Sequence, residues 1–212
     1  MIVVNLKAYK EGIGKDSEKI VDACEAVKDN TGEEIVVCPQ NTDLLRFQDS
    51  EVSVFAQKAD NIDTGSHTGH TPVKVVKDAG ADGLLLNHSE NRIDEESIEE
   101  ILERADNFDL TTIVCAQSPE ECGKYSSHNP DYVAFEPPEL IGGDTSVSEA
   151  KPNVIEEAVE ASESPVLTGA GIKNSKDVEK SLKHGCEGVL VASGVVKSEN
   201  PQKAVQSLAE GL

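Results

Sequence analysis

An apolar run, Tyr132-Val133-Ala134-Phe135, ends abruptly in Glu136 and is followed by Pro137-Pro138-Glu139-Leu140-Ile141-Gly142-Gly143. A carboxylate delivered at the end of a strand, before a loop whose glycines let backbone approach an anion and whose ends can hinge, suits proton abstraction beneath a closing lid. Other chemistry-bearing residues follow other apolar runs in the same way. Asn5-Leu6-Lys7 follows Ile2-Val3-Val4, Asn87-His88-Ser89-Glu90 follows Gly83-Leu84-Leu85-Leu86, Gly169-Ala170-Gly171 follows Val166-Leu167-Thr168, and Ala192-Ser193-Gly194 follows Gly188-Val189-Leu190-Val191. Taken singly, Lys7 reads as a surface lysine, His88 as a structural histidine, Glu136 as a surface acid before a turn and Gly169-Ala170-Gly171 as a strand-to-helix turn. Taken together they place a cation, an imidazole and a carboxylate at strand ends, beside two glycine-rich turns whose N–H groups suit a phosphate.

Strands must carry these residues to one rim. The runs named above, with Glu34–Cys38, Val52–Ala56 and Thr111–Cys115, make eight. They are continuously apolar rather than alternating, which is the mark of strands covered on both faces and so of a parallel sheet. Helical patterns with start signals lie between them: Asp16-Ser17-Glu18, Asp94-Glu95-Glu96, Ser146 with Glu149 at capping-box spacing, and Asn174 before Val178 and Leu182. Residues 60 to 79 read as one long loop and one short helix. Eight βα units without a linker or a composition break predict one closed (β/α)8 barrel over residues 1–212. An open doubly wound sheet is the competing arrangement, and the count of eight disfavours it. Such barrels typically need about 250 residues, so 212 implies shortened helices and loops. In a barrel of this kind the strand C-terminal ends form the site.

Composition narrows the partners. Forty acidic residues against nineteen basic give a net charge of −21, which argues against nucleic acid or an anionic membrane as partner. Excess acid of this size fits a high-salt cytoplasm, where the self-repulsion is screened. No charged segment followed by an apolar one opens the sequence, and no apolar run approaches the length of a membrane span, so a soluble cytoplasmic protein is expected. The five cysteines have no C-x-x-C pair and read as reduced, with Cys38 and Cys115 as small hydrophobes at strand ends. His67 and His70, in a Gly/Thr loop without a third ligand nearby, read as loop histidines rather than a metal pair.

With these motifs in order, the whole chain resembles the triosephosphate isomerase family in its short archaeal form. The resemblance rests on Asn5-Leu6-Lys7, Asn87-His88-Ser89-Glu90-Asn91-Arg92, Ala134 to Gly142, Gly169-Ala170-Gly171-Ile172 and Val191-Ala192-Ser193-Gly194. It implies the TIM-barrel fold and interconversion of dihydroxyacetone phosphate and glyceraldehyde 3-phosphate, without metal or organic cofactor. It also implies a homodimer or homotetramer joined through the third loop. Carried over residue by residue, it makes Glu136 the general base, His88 the neutral electrophile, and Asn5 and Lys7 the pair that binds substrate oxygens. Glu90 becomes a supporting carboxylate, for which an exposed acid in a helix's first turn is the alternative. Ile141 and Gly142 fall in the lid, and Gly169, Gly171, Ala192 and Ser193 complete the phosphate cradle. The acidic composition points to a haloarchaeal source. The chain departs from commoner relatives in three places: it has no tryptophan in the lid, no serine in the Gly169–Gly171 turn, and Thr68-Gly69-His70 where Thr-Gly-Glu is usual. Two other functions fit a phosphate-binding barrel: an aldolase with Lys7 as Schiff base, and a non-catalytic phosphosugar-binding protein.

Overall fold

The computed structural model describes residues 1–138 and 152–212. Eight parallel strands close into a barrel in chain order: β1 (Ile2–Asn5), β2 (Ile35–Cys38), β3 (Ser53–Ala56), β4 (Gly83–Leu86), β5 (Thr111–Ala116), β6 (Tyr132–Phe135), β7 (Val166–Thr168) and β8 (Gly188–Val191). Closure joins β1 to β8 through Val3 opposite Leu190, as β1 joins β2 through Val3 opposite Val36. The open doubly wound alternative is therefore excluded.

The two-residue period of a strand sorts each apolar run between two cores. Val3, Val36, Phe55, Leu85, Ile113, Ala134, Leu167 and Leu190 fill the barrel interior. Their neighbours Ile2, Val4, Val37, Leu84, Leu86, Val114, Val133, Val189 and Val191 face the surrounding helices. Burial on both faces explains why the runs are continuous. The same parity aims Asn5, Cys115 and Glu136, each two residues beyond an interior residue, at the upper end of the barrel.

The outer layer consists of α1 (Glu18–Thr31), α2 (Val73–Asp78), α3 (Glu95–Asp106), α4 (Pro119–Ser126), α5 (Pro152–Ala161), α6 (Ser175–Lys183), α7 (Ser193–Val196) and α8 (Pro201–Ala209). The expected shortening is visible in two of them, α2 with six residues and α7 with four, and after β2, where a 3-10 helix at Asn41–Arg46 follows. Asp94 caps α3 by accepting from the Ser97 N–H, and Asn174 caps α6 by accepting from those of Lys176 and Asp177. The start signal at Ser17 works differently. A 3-10 turn, Gly14–Ser17, runs directly into α1, and the Ser17 hydroxyl donates back to the Gly14 carbonyl at 2.6 Å instead of capping. The capping pair Ser146 and Glu149 lies outside the described residues. None of the described helices is long and apolar enough to cross a membrane.

Candidate active site

β1, β4 and β6 bring three of the expected residues together at the barrel mouth. Glu136 leaves β6 pointing inward, its side chain 8% exposed, with its N–H donated to the Ala116 carbonyl of β5. His88 follows β4, is 7% exposed, and sets Nε2 3.3 Å from Glu136 Oε2. Lys7, 11% exposed, ion-pairs through Nζ with Glu90 Oε1 at 2.8 Å.

Local backbone geometry fixes each side chain. Lys7 has φ 50°, a left-handed conformation that costs a residue with a Cβ on the order of 1–3 kcal/mol. Asn5 Oδ1 offsets this by accepting the Lys7 N–H at 2.9 Å. Asn87, with φ 58°, turns the chain into His88; its Nδ2 donates to the Cys115 carbonyl and its Oδ1 accepts from the Ile93 N–H. Asparagine is the residue with a Cβ best suited to that conformation. Arg92 grips Glu121 with two nitrogens, at 3.0 and 2.6 Å, tying the His88 loop to the segment after β5.

Burial sets the protonation states. Glu136 is pushed up to about 7 by loss of solvent; the charge of Lys7 and a hydrogen bond from the Cys115 thiol oppose the rise. Its Oε2 has no hydrogen-bond partner among the described residues, so one lone-pair face of a buried carboxylate remains available. His88 is pulled down from the ordinary histidine value by burial and then by Lys7, against the opposing pull of Glu90. Its Nδ1 accepts the Glu90 N–H at 3.2 Å, which leaves the ring proton on Nε2, the nitrogen facing Glu136. The arrangement is a basic carboxylate and a neutral N–H donor aimed at one point, with a cation beside them.

A cavity of about 320 Å³ opens there. It is lined by Asn5, Lys7, His88, Glu90 and Glu136 on one side, and by Ala170, Gly171, Ile172, Ala192, Ser193 and Gly194 on the other. Gly171, with φ 75°, and Ser193, first residue of α7, therefore face the same space as the base. Gly169 is placed differently from a phosphate donor, because its N–H is already given to the Phe135 carbonyl. A Cβ at 169 would collide with Cγ and Oε1 of Glu136, so this glycine leaves room for the carboxylate. Glu90 sits before α3 rather than in its first turn, and is both exposed, at 58%, and paired with Lys7. Ile141 and Gly142 lie outside the described residues. His67 and His70 are remote in role: their rings meet edge-on at 6.3 Å, and His70 Nδ1 faces Asp60 at 3.5 Å.

A model of the family described as triosephosphate isomerase matches residues 1–208. The chain belongs to the triosephosphate isomerase family. Proteins named triosephosphate isomerase from Methanosarcina mazei, Methanocaldococcus jannaschii and Methanothermus fervidus are 43%, 42% and 41% identical to it. Each alignment covers 98% of this chain, and 96%, 98% and 96% of the respective relative. In fold it is similar to the crystal structure of triosephosphate isomerase from Bartonella henselae, with a TM-score of 0.72, 18% identity, and 97% of each chain covered. The family is one of intramolecular isomerases, and the short archaeal form named from the sequence agrees with archaeal relatives near 40% identity.

Three residues that touch this candidate site had no assigned part in the sequence reading. Cys115, taken as a small hydrophobe, presents its thiol to the Glu136 carboxyl. Its position two residues past the interior residue Ile113 was the available signal. Gln40 and Gln57 reach the Lys7 carbonyl from β2 and β3, and only the closed barrel shows that they do.

Proposed function

We propose that this chain, as a single domain over residues 1–212, interconverts dihydroxyacetone phosphate and D-glyceraldehyde 3-phosphate through an enediolate. Glu136 removes a proton from the carbon beside the carbonyl, and the neutral Nε2–H of His88 donates to the carbonyl oxygen. Lys7, with Asn5 holding its backbone, binds the substrate oxygens and offsets the negative charge that develops on them, where a preorganised cation contributes most in the transition state. His88 gives its Nε2 proton to the former carbonyl oxygen and takes one from the neighbouring hydroxyl, while the protonated Glu136 returns its proton to the neighbouring carbon. The observation that carries this reading is the 3.3 Å approach of His88 Nε2 to the unpartnered Oε2 of a buried glutamate, in a cavity that Lys7 also lines. Gly171, Ala192 and Ser193 are assigned to the phosphate, Gly169 to the clearance around the base, Glu90 to the orientation of Lys7, and Ile141 and Gly142 to a lid. No cofactor enters the scheme.

The Schiff-base alternative needs Lys7 as a free amine. Its 2.8 Å pairing with Glu90 would have to be given up, and an aldolase would leave the His88 and Glu136 pair without work. We further assign the protein to the cytoplasm of a salt-rich cell, on its charge of −21, and to a homodimer or homotetramer. The assembly reading rests on membership of the triosephosphate isomerase family.

A coupled assay with glyceraldehyde 3-phosphate in concentrated KCl tests the function. Turnover by the native chain and its near-complete loss in Glu136→Gln are expected. A native chain that binds triose phosphate without turnover would leave only a binding protein, and trapping by borohydride would restore the aldolase.

A further inference from the structure

Lys7 holds its place against a backbone preference, and the N–H of Asn5's partner peptide is only half of what restrains it. Its carbonyl receives two side-chain amides, Gln40 Nε2 at 2.8 Å and Gln57 Nε2 at 3.1 Å. The second hydrogen of Gln40 Nε2 goes to Gln57 Oε1 at 3.1 Å, and that of Gln57 Nε2 to the Cys38 carbonyl at 2.9 Å. Every amide hydrogen of the two side chains is thus committed. Flipping either amide would set oxygen against a carbonyl, so the pair has one orientation.

Gln40 lies just past β2 and Gln57 just past β3, so the left-handed turn at Lys7 is tied to two neighbouring strands as well as to its own. We infer that the Gln40–Gln57 amide pair is a positioning device for Lys7, with Gln40 holding the Lys7 carbonyl and, through it, the direction in which the ammonium enters the site. Gln40 touches no reacting atom in this role. It acts through a lysine whose charge serves both substrate binding and the enediolate, and small displacements of such a group are costly: a shift of ~1 Å can cost ~10²-fold. The inference rests on the isomerase reading above.

Gln40→Glu keeps the shape and replaces both donors by acceptors; Gln40→Asn keeps the amide and withdraws it by one methylene. Each is assayed for kcat, KM and melting temperature beside Asp94→Ala, which removes the cap of α3 at a residue that does not line the cavity. Both Gln40 variants are expected to lower kcat/KM by about 10-fold to 100-fold, with KM raised as well as kcat lowered. Asp94→Ala should keep the native KM at a comparable loss of melting temperature. A merely structural Gln40 would lower the amount of folded enzyme, leaving KM at its native value in both variants, and that result would overturn the inference. If one variant fails to fold, the KM of the other decides. A native chain without isomerase activity would instead sink the isomerase reading itself.

Discussion

Glu136 and His88 carry opposite shifts from one cause. Burial disfavours charge on both, so the carboxyl rises and the imidazole falls, and near neutral pH a base and a neutral donor coexist at 3.3 Å. For folding, the signs oppose. Glu136, raised from 4.5 to about 7, contributes stability that is present below 4.5 and lost as pH rises through about 7. His88, lowered from 6.5, contributes stability that is present above 6.5 and lost as pH falls toward its folded value. Between 4.5 and 6.5 the two slopes run against each other, so this pair moves the melting temperature little there. Activity has no such cancellation, because only the ionised Glu136 accepts a proton. The kcat/KM profile should fall on its acid side with a midpoint near 7, and Cys115→Ala, which removes a hydrogen bond to the carboxylate, should move that midpoint upward. A midpoint near the ordinary glutamate value, unmoved by Cys115→Ala, would contradict the burial account. At this scale the sequence showed the residue types at strand ends. It did not show the tautomer of His88, the clearance at Gly169 or the thiol at Cys115, since each depends on a contact across strands far apart in the chain.

The elements were largely legible because two periods coexist in the chain. Eight continuous apolar runs announce strands buried on both faces, and all eight are present, with ends displaced by a residue at Asn5, Ile35, Ser53 and Ala116. Caps at Asp94 and Asn174 were readable for the same reason that they work: a short side-chain acceptor placed before N–H groups that have no partner within the helix. The start signal at Ser17 marked the right place, for α1 begins at Glu18, but the serine side chain makes no cap because a 3-10 turn already supplies the helix start. The cap of α6 also steadies the turn before it, where Lys173 donates its N–H to Asp177. Asn174→Ala should therefore cost about 1 kcal/mol, read as a fall of about 2–4 °C in melting temperature. An unchanged melting temperature would mean that the cap contributes nothing to the folded state.

The whole molecule is a closed barrel whose mouth gathers residues from β1, β4, β6, β7 and β8, which is why residues separated by up to 189 positions, Asn5 and Gly194, line one cavity. Closure was inferred from the number of strands, and register and parity then follow from it. Charge is the other property at this scale. With a net charge of −21, self-repulsion destabilises the folded chain in dilute buffer and is screened when the Debye length falls from about 10 Å at 0.1 M to 3 Å at 1 M salt. The melting temperature should rise steeply with KCl over that range, and independence of KCl would count against the salt-rich origin.

The central claim is that a carbon-bound proton passes through Glu136. Isomerisation of dihydroxyacetone phosphate in D2O, followed by NMR, tests it most directly. The product of the native enzyme should carry, on the carbon that received the proton, hydrogen where Glu136 returns the proton it took and deuterium where that carboxyl has first exchanged with solvent, and Glu136→Gln should abolish both. Either product formed by Glu136→Gln at the native rate would contradict it.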